Sequence, residues 1–75
     1  MPRRLNSQQI ADDIAARIAS GEYPPGAQLP SYRQLGDLYS VSISTAQRVI
    51  LILSARGLVY GEQGRGVFVN EPDET

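Results

Sequence analysis

Cysteine, histidine, lysine and tryptophan are all absent from this 75-residue chain. Without thiols or imidazoles there is no disulfide framework, no zinc-ligand spacing, no Cys nucleophile and no His acid–base pair. No paired carboxylates are placed for chemistry either, so the sequence is not read as that of an enzyme, and no cofactor or metal is expected. No apolar run approaches the roughly 18 residues that span a membrane, and no secretory h-region follows Met1, so no membrane partner is expected. The lack of cysteine fits a reducing cytoplasm. What is present is an ordinary globular composition, 41% hydrophobic and 20% charged. The length allows one small domain, which buries only about 60% of its unfolded surface and profits from a partner.

Charge is unevenly spread. The net charge is −1, from seven Arg against eight acidic residues. Three of those acids sit in Glu71-Pro72-Asp73-Glu74-Thr75, read as a flexible acidic tail (71–75) behind a domain of residues 1–70. Without the tail, seven Arg face five acids. From Gln28 to Asn70, four Arg face only Asp37 and Glu62. That half is mildly basic. Arg3 and Arg4 form a two-residue terminal cluster, read as solvated rather than as a basic arm.

Local signals divide the chain into three helices and a hairpin. Asn6 with Gln9 makes a capping box, Leu5 is placed to staple onto Ile10, and Ile10, Ile14 and Ile18 give one apolar face. Gly21 ends this helix, and Tyr23-Pro24-Pro25-Gly26 is a turn. Ala27-Gln28-Leu29 is extended, because Leu29 precedes a proline. Ser31 with Gln34 caps a second helix over Tyr32–Tyr39, with Leu35, Leu38 and Tyr39 as its buried stripe. Ser42 caps a third helix whose inward face is Ala46, Val49, Ile50 and Leu53, ended by Gly57. The period then changes to two: Leu58-Val59-Tyr60 and Val67-Phe68-Val69 read as strands around the glycine-rich turn from Gly61 to Gly66. The fold class is α+β, mostly α: a winged helix-turn-helix of three helices plus a two-stranded β-hairpin wing.

Over Gln9–Val69 the sequence resembles the DNA-binding domain of GntR-family bacterial transcription regulators. The resemblance is carried by Ile18-Ala19-Ser20-Gly21-Glu22-Tyr23-Pro24-Pro25-Gly26-Ala27-Gln28-Leu29-Pro30-Ser31, Arg33-Gln34-Leu35, Val41-Ser42, Gly57-Leu58-Val59 and Gln63-Gly64-Arg65-Gly66-Val67-Phe68-Val69. It implies binding of double-stranded DNA, with the third helix (about 43–56) in the major groove and the wing (about 58–69) on backbone or minor groove. Family members normally carry a larger effector-binding and dimerising domain, for which this chain has no room. The expectation is a stand-alone short regulator or an excised domain. The family's recognition arginines fall at Arg33, Ile43 and Gln47, of which one remains arginine, and Tyr32 stands where the family usually has Glu.

The candidate DNA-binding residues are Arg33, Ser42, Ile43, Ser44, Thr45, Gln47, Arg48, Gly64, Arg65 and Gly66. The planar fork of Arg33 suits guanine or phosphate, and its bland alternative is an ion pair with Asp37. Ser42, Ser44 and Thr45 offer hydroxyls and helix-end N–H groups to phosphate, with simple capping as the alternative. Gln47 suits adenine, Ile43 a thymine methyl and Arg48 a phosphate. Arg65 between Gly64 and Gly66 suits a narrow minor groove or backbone. Leu51 and Ile52 exceed what one inward face accommodates, and are read as a dimer contact or as packing against the wing or first helix. The expected function is a sequence-specific transcription regulator, a repressor acting by operator occupancy. It is expected in the bacterial cytoplasm, associated with the nucleoid, as a homodimer formed on DNA. The rivals are a protein-interaction winged helix (anti-repressor or adaptor) and an architectural factor in mobile-element excision.

Overall fold

A computed structural model describes residues 5–71 of the chain. The order is α1 (Ser7–Ala19), α2 (Tyr32–Tyr39), α3 (Ile43–Ala55), β1 (Val59–Glu62) and β2 (Gly66–Val69). Arg3, Arg4 and the tail beyond Glu71 lie outside the described residues.

The helix starts follow from local hydrogen bonding. Asn6 Oδ1 accepts from the Gln9 amide at 2.8 Å, and Gln9 Oε1 accepts from the Asn6 amide at 2.9 Å. The same reciprocal pair joins Ser31 and Gln34, at 3.1 and 2.9 Å. Each box satisfies two amides, one at the N-cap and one in the first helical turn. The first and third helices end two residues before Gly21 and Gly57, at φ of 88° and 77°, values that cost glycine little. Between α2 and α3 the turn is Ser40-Val41-Ser42, and the helix direction changes by 105°. This lies in the range of a helix-turn-helix. Ser40 takes the left-handed conformation at φ 56° without being glycine.

Helix α3 is the centre of the core: α1, α2 and β1 all pack on it. Ile10, Ala11, Ile14, Leu35, Ala46, Val49, Leu53, Val59 and Val69 are almost fully buried. Leu38 departs from the expected stripe of α2 and is 64% exposed. At 100° per residue it lies about 100° from Tyr39, and it faces an open hollow beside Pro30 and Gln34 instead of α3.

The hairpin register pairs Val59 with Val69, Tyr60 with Phe68, Gly61 with Val67 and Glu62 with Gly66. The strands therefore run into the glycines expected to form the turn, which shrinks to Gln63-Gly64-Arg65. The extended Ala27-Gln28-Leu29 segment is more than a connector. The Leu29 amide donates to the Val67 carbonyl at 2.8 Å, and the Val69 amide donates to Ala27 at 2.9 Å. Gln28 thus bridges Phe68, and β2 is paired along both edges.

Two polar contacts tie the helices together on the side of α1. Arg56 at the end of α3 pairs with Asp12 at 2.9 Å. Asp13 Oδ2 accepts from the Tyr39 hydroxyl at 2.7 Å and from Arg17 Nε at 3.1 Å, and Arg17 Nη1 reaches Glu22 at 2.7 Å. The Tyr39 hydroxyl, then Arg17, hold the Asp13 carboxyl below its ordinary range. Burial, then the Asp13 carboxylate, pushes Tyr39 up to about 12.

Candidate nucleic-acid interface

Arg33 is the second residue of α2, exposed, one position before the capping Gln34. Its ion pair with Asp37 does not form, and among the described residues neither Arg33 nor Arg48 has an acidic partner. The other described arginines are all engaged: Arg17 with Asp13 and Glu22, Arg56 with Asp12, and Arg65 with Glu62 at 3.3 Å. The cations are therefore sorted. Arg56 ties the end of α3 to α1, and Arg17 is spent within α1 and the turn after it; Arg33 and Arg48 project as unneutralised charge.

At the start of α3, Ser42 is committed to its own helix. Its Oγ accepts from the Thr45 amide and donates to Thr45 Oγ1, both at 3.1 Å. That leaves the Thr45 hydroxyl hydrogen, the Ser44 hydroxyl and the amides of Ile43 and Ser44 as open donors there. Along α3, Gln47, Leu51, Ser44 and Arg48 fall within about 100° of arc, opposite the buried Ala46, Val49, Ile50 and Leu53. Ile43 borders this face and is 47% exposed. Thr45 borders the other side. The helix carries no carboxylate, so nothing on it repels a polyanion.

Leu51 and Ile52 do not form one patch. Ile52 is half-buried and packs against the core cluster, while Leu51 is 69% exposed. Consecutive helical residues point about 100° apart, which separates the two roles. Leu51 moreover shares its face with Gln47 and Arg48, so a partner chain covering it would cover the candidate base-reading residues too.

The wing tip is a three-residue loop closed by the Arg65 amide donating to Glu62 at 3.0 Å. Gly64 and Gly66 take φ of 79° and 126°, as expected for glycines framing an exposed arginine. The Arg65 guanidinium lies 5.9 Å over the Phe68 ring, which stacks on Tyr60 at 5.8 Å. An open groove of about 550 Å³ separates this tip from Tyr32 at the start of α2. The structure thus brings the N-terminus of α2, and with it the position next to Arg33, to the wing. Tyr32 and Gln28 are parts of this surface that residue patterns did not single out. The departure of Tyr32 from the usual Glu was its only signal. Gln28 had none.

Comparison with known proteins fits this geometry. The family model described as bacterial regulatory proteins, gntR family, matches residues 6–69. The transcriptional regulator Mce2R of Mycobacterium tuberculosis is 40% identical over 62 residues, which are 83% of this chain and 26% of that protein. The transcriptional repressor NagR of Bacillus subtilis is 34% identical over 64 residues, 85% of this chain and 26% of that protein. The chain thus spans about a quarter of the length of these relatives. Among solved structures, AraR(DBD) in complex with operator ORR3 superposes with a TM-score of 0.80 at 32% identity, covering 84% of this chain and 76% of that one. A family model that matches residues 6–69, together with relatives of 34–40% identity over most of the chain, makes the chain a member of the GntR family of bacterial regulatory proteins.

Proposed function

We propose that the chain binds double-stranded DNA in a sequence-specific way and regulates transcription, as a repressor that occupies its operator. In this reading α3 lies in the major groove, where Gln47 and Ile43 meet base edges and Arg48, Ser44 and Thr45 meet phosphates. Arg33 reads a guanine or holds a phosphate beside it. The wing places Arg65 on the backbone or minor groove. Two copies assemble on adjacent half-sites, in the bacterial cytoplasm and on the nucleoid. No metal or cofactor enters the reading.

The observation that carries it is the sorting of charge: among the described residues Arg33 and Arg48 stand without acidic partners on exposed faces, while Arg17 and Arg56 are spent on intramolecular ion pairs. The operator complex of AraR(DBD) and the repressor NagR lend it further support. The test is binding-site selection from random duplex, followed by affinity across a salt series. Each phosphate neutralised steepens the slope of log K against log salt by about 0.9, so a slope of two or more together with an enriched motif is expected. A flat salt response would instead favour a protein-binding winged helix. Strong bending of the selected duplex without promoter repression would favour an architectural role.

A further inference from the structure

The wing tip is short and rich in glycine. Its loop has three residues, and glycine occupies three of the six positions from Gly61 to Gly66. Glycine loses the most conformational freedom on ordering, so a tip of this composition gains from a contact outside it, beyond its own Arg65–Glu62 main-chain hydrogen bond. That contact is present. Gln28 Nε2 donates to the carbonyl of Arg65 at 2.8 Å, across a sequence separation of 37 residues. An acceptor carbonyl demands the amide nitrogen of Gln28 and fixes which way the amide points. Gln28 is itself held, because its neighbours Ala27 and Leu29 are hydrogen-bonded to β2 on both sides of Phe68. Gly66 is called for by its φ of 126°, and a Cβ there would in addition stand 2.5 Å from Gln28 Nε2 and push that amide aside.

We infer that Gln28 is a positioning residue for the wing, fixing the Arg65 peptide so that its guanidinium is presented to the DNA backbone from one place. The inference rests on the DNA-binding reading above. Four contacts then define the arginine: Gln28 on its carbonyl, the Glu62 carbonyl on its amide at 3.0 Å, the Glu62 carboxylate on its guanidinium at 3.3 Å, and the Phe68 face beneath it. The exposed Glu62 pair is weak and yields to a phosphate, whereas the Gln28 contact engages main chain and persists in the bound state. Gln28 acts through Arg65 and need not touch DNA.

A double-mutant cycle on the whole chain tests this, read by fluorescence anisotropy on a fluorescein-labelled duplex of mixed sequence across a salt series. Such a duplex suffices because a wing–backbone contact is independent of sequence. Arg65→Ala is expected to weaken binding about three- to tenfold and to lower the salt slope by about one. Gln28→Ala is expected to weaken it about two- to fivefold and to lower the slope in part, while the thermal melt stays that of the wild type. In the Arg65→Ala background, Gln28→Ala is expected to add nothing. Gln28→Met, which keeps the length and removes the donor, serves if the alanine variant melts early and is expected to behave like it. Wild-type affinity and slope in either folded Gln28 variant would overturn the inference, as would a loss that adds in full to that of Arg65→Ala. Absence of salt-dependent binding by the wild type would overturn the DNA-binding reading itself, before any Gln28 variant is compared.

Discussion

In the proposed reading Arg33 and Ile43 make opposite demands on DNA, one through charge and one through an apolar contact. Arg33 offers five donors in a planar fork and, among the described residues, has no ion pair to break before binding. Arg33→Ala should therefore weaken binding to the selected operator by about 1–3 kcal/mol and relax preference at one base pair. Repeated site selection with the variant reads this, and an unchanged motif and affinity would remove Arg33 from base reading. Ile43 can distinguish thymine only by its methyl group. Uracil in place of thymine in the operator should weaken the wild type and leave Ile43→Ala indifferent, with salt slopes unchanged in both. Equal sensitivity of the two proteins would exclude the contact. These candidates were legible because residue type and helix position suffice to suggest them. Gln28 and Tyr32 were not. Their place in the surface depends on where residues some thirty positions later return in space, which no local pattern records.

The same contrast runs through the elements. All three helix starts were readable from sequence, because a cap and its partner are three residues apart and form the same bonds in almost any fold. The pairing on the second edge of β2 was not, since Ala27-Gln28-Leu29 is extended by its proline but paired only by tertiary register. Leu38 failed for a related reason: apolar spacing marks a stripe, and only packing decides how wide the stripe is. One element carries avoidable strain. Ser40 ends α2 in the left-handed conformation, which costs residues with a Cβ about 1–2 kcal/mol. Ser40→Gly relieves that strain and adds freedom to the unfolded chain, so the net gain should be about 0.5–1 kcal/mol. The melting temperature should rise by about 2–8 °C, with DNA affinity unchanged. A lower melting temperature would mean that the Ser40 side chain is itself needed in the turn.

For the whole molecule the deciding quantity is how little surface 75 residues can spare for anything beyond their own core. The Tyr39–Asp13 contact is one of the few polar links between α1 and α2, and it makes stability depend on pH at both ends. Asp13 titrates below its unfolded value of about 3.9, so its contribution is whole above about pH 4 and is lost as pH falls through the lower folded value. Tyr39 is raised to about 12, so its contribution is whole below about pH 10 and is lost as pH climbs through 12. Tyr39→Phe should cost about 1 kcal/mol at neutral pH and flatten the acid limb of the denaturation curve; an unchanged acid limb would show that the contact carries no linkage. Self-association follows from the same scarcity. Leu51 and Leu38 are the most exposed large apolar side chains, at 69% and 64%, and Leu51 occupies the face proposed to enter the groove. Burying one leucine contributes about 1.5–3 kcal/mol, against roughly 4–15 kcal/mol for the lost freedom of association. Neither residue by itself offsets that cost, so in the proposed reading pairing is supported by two half-sites on one duplex. Sedimentation of the free chain should give a mass near 8.2 kDa, and titration onto a two-site operator should give two copies bound with positive cooperativity. A free dimer that Leu51→Ser dissociates would reverse this order and place the recognition face of α3 inside a protein interface.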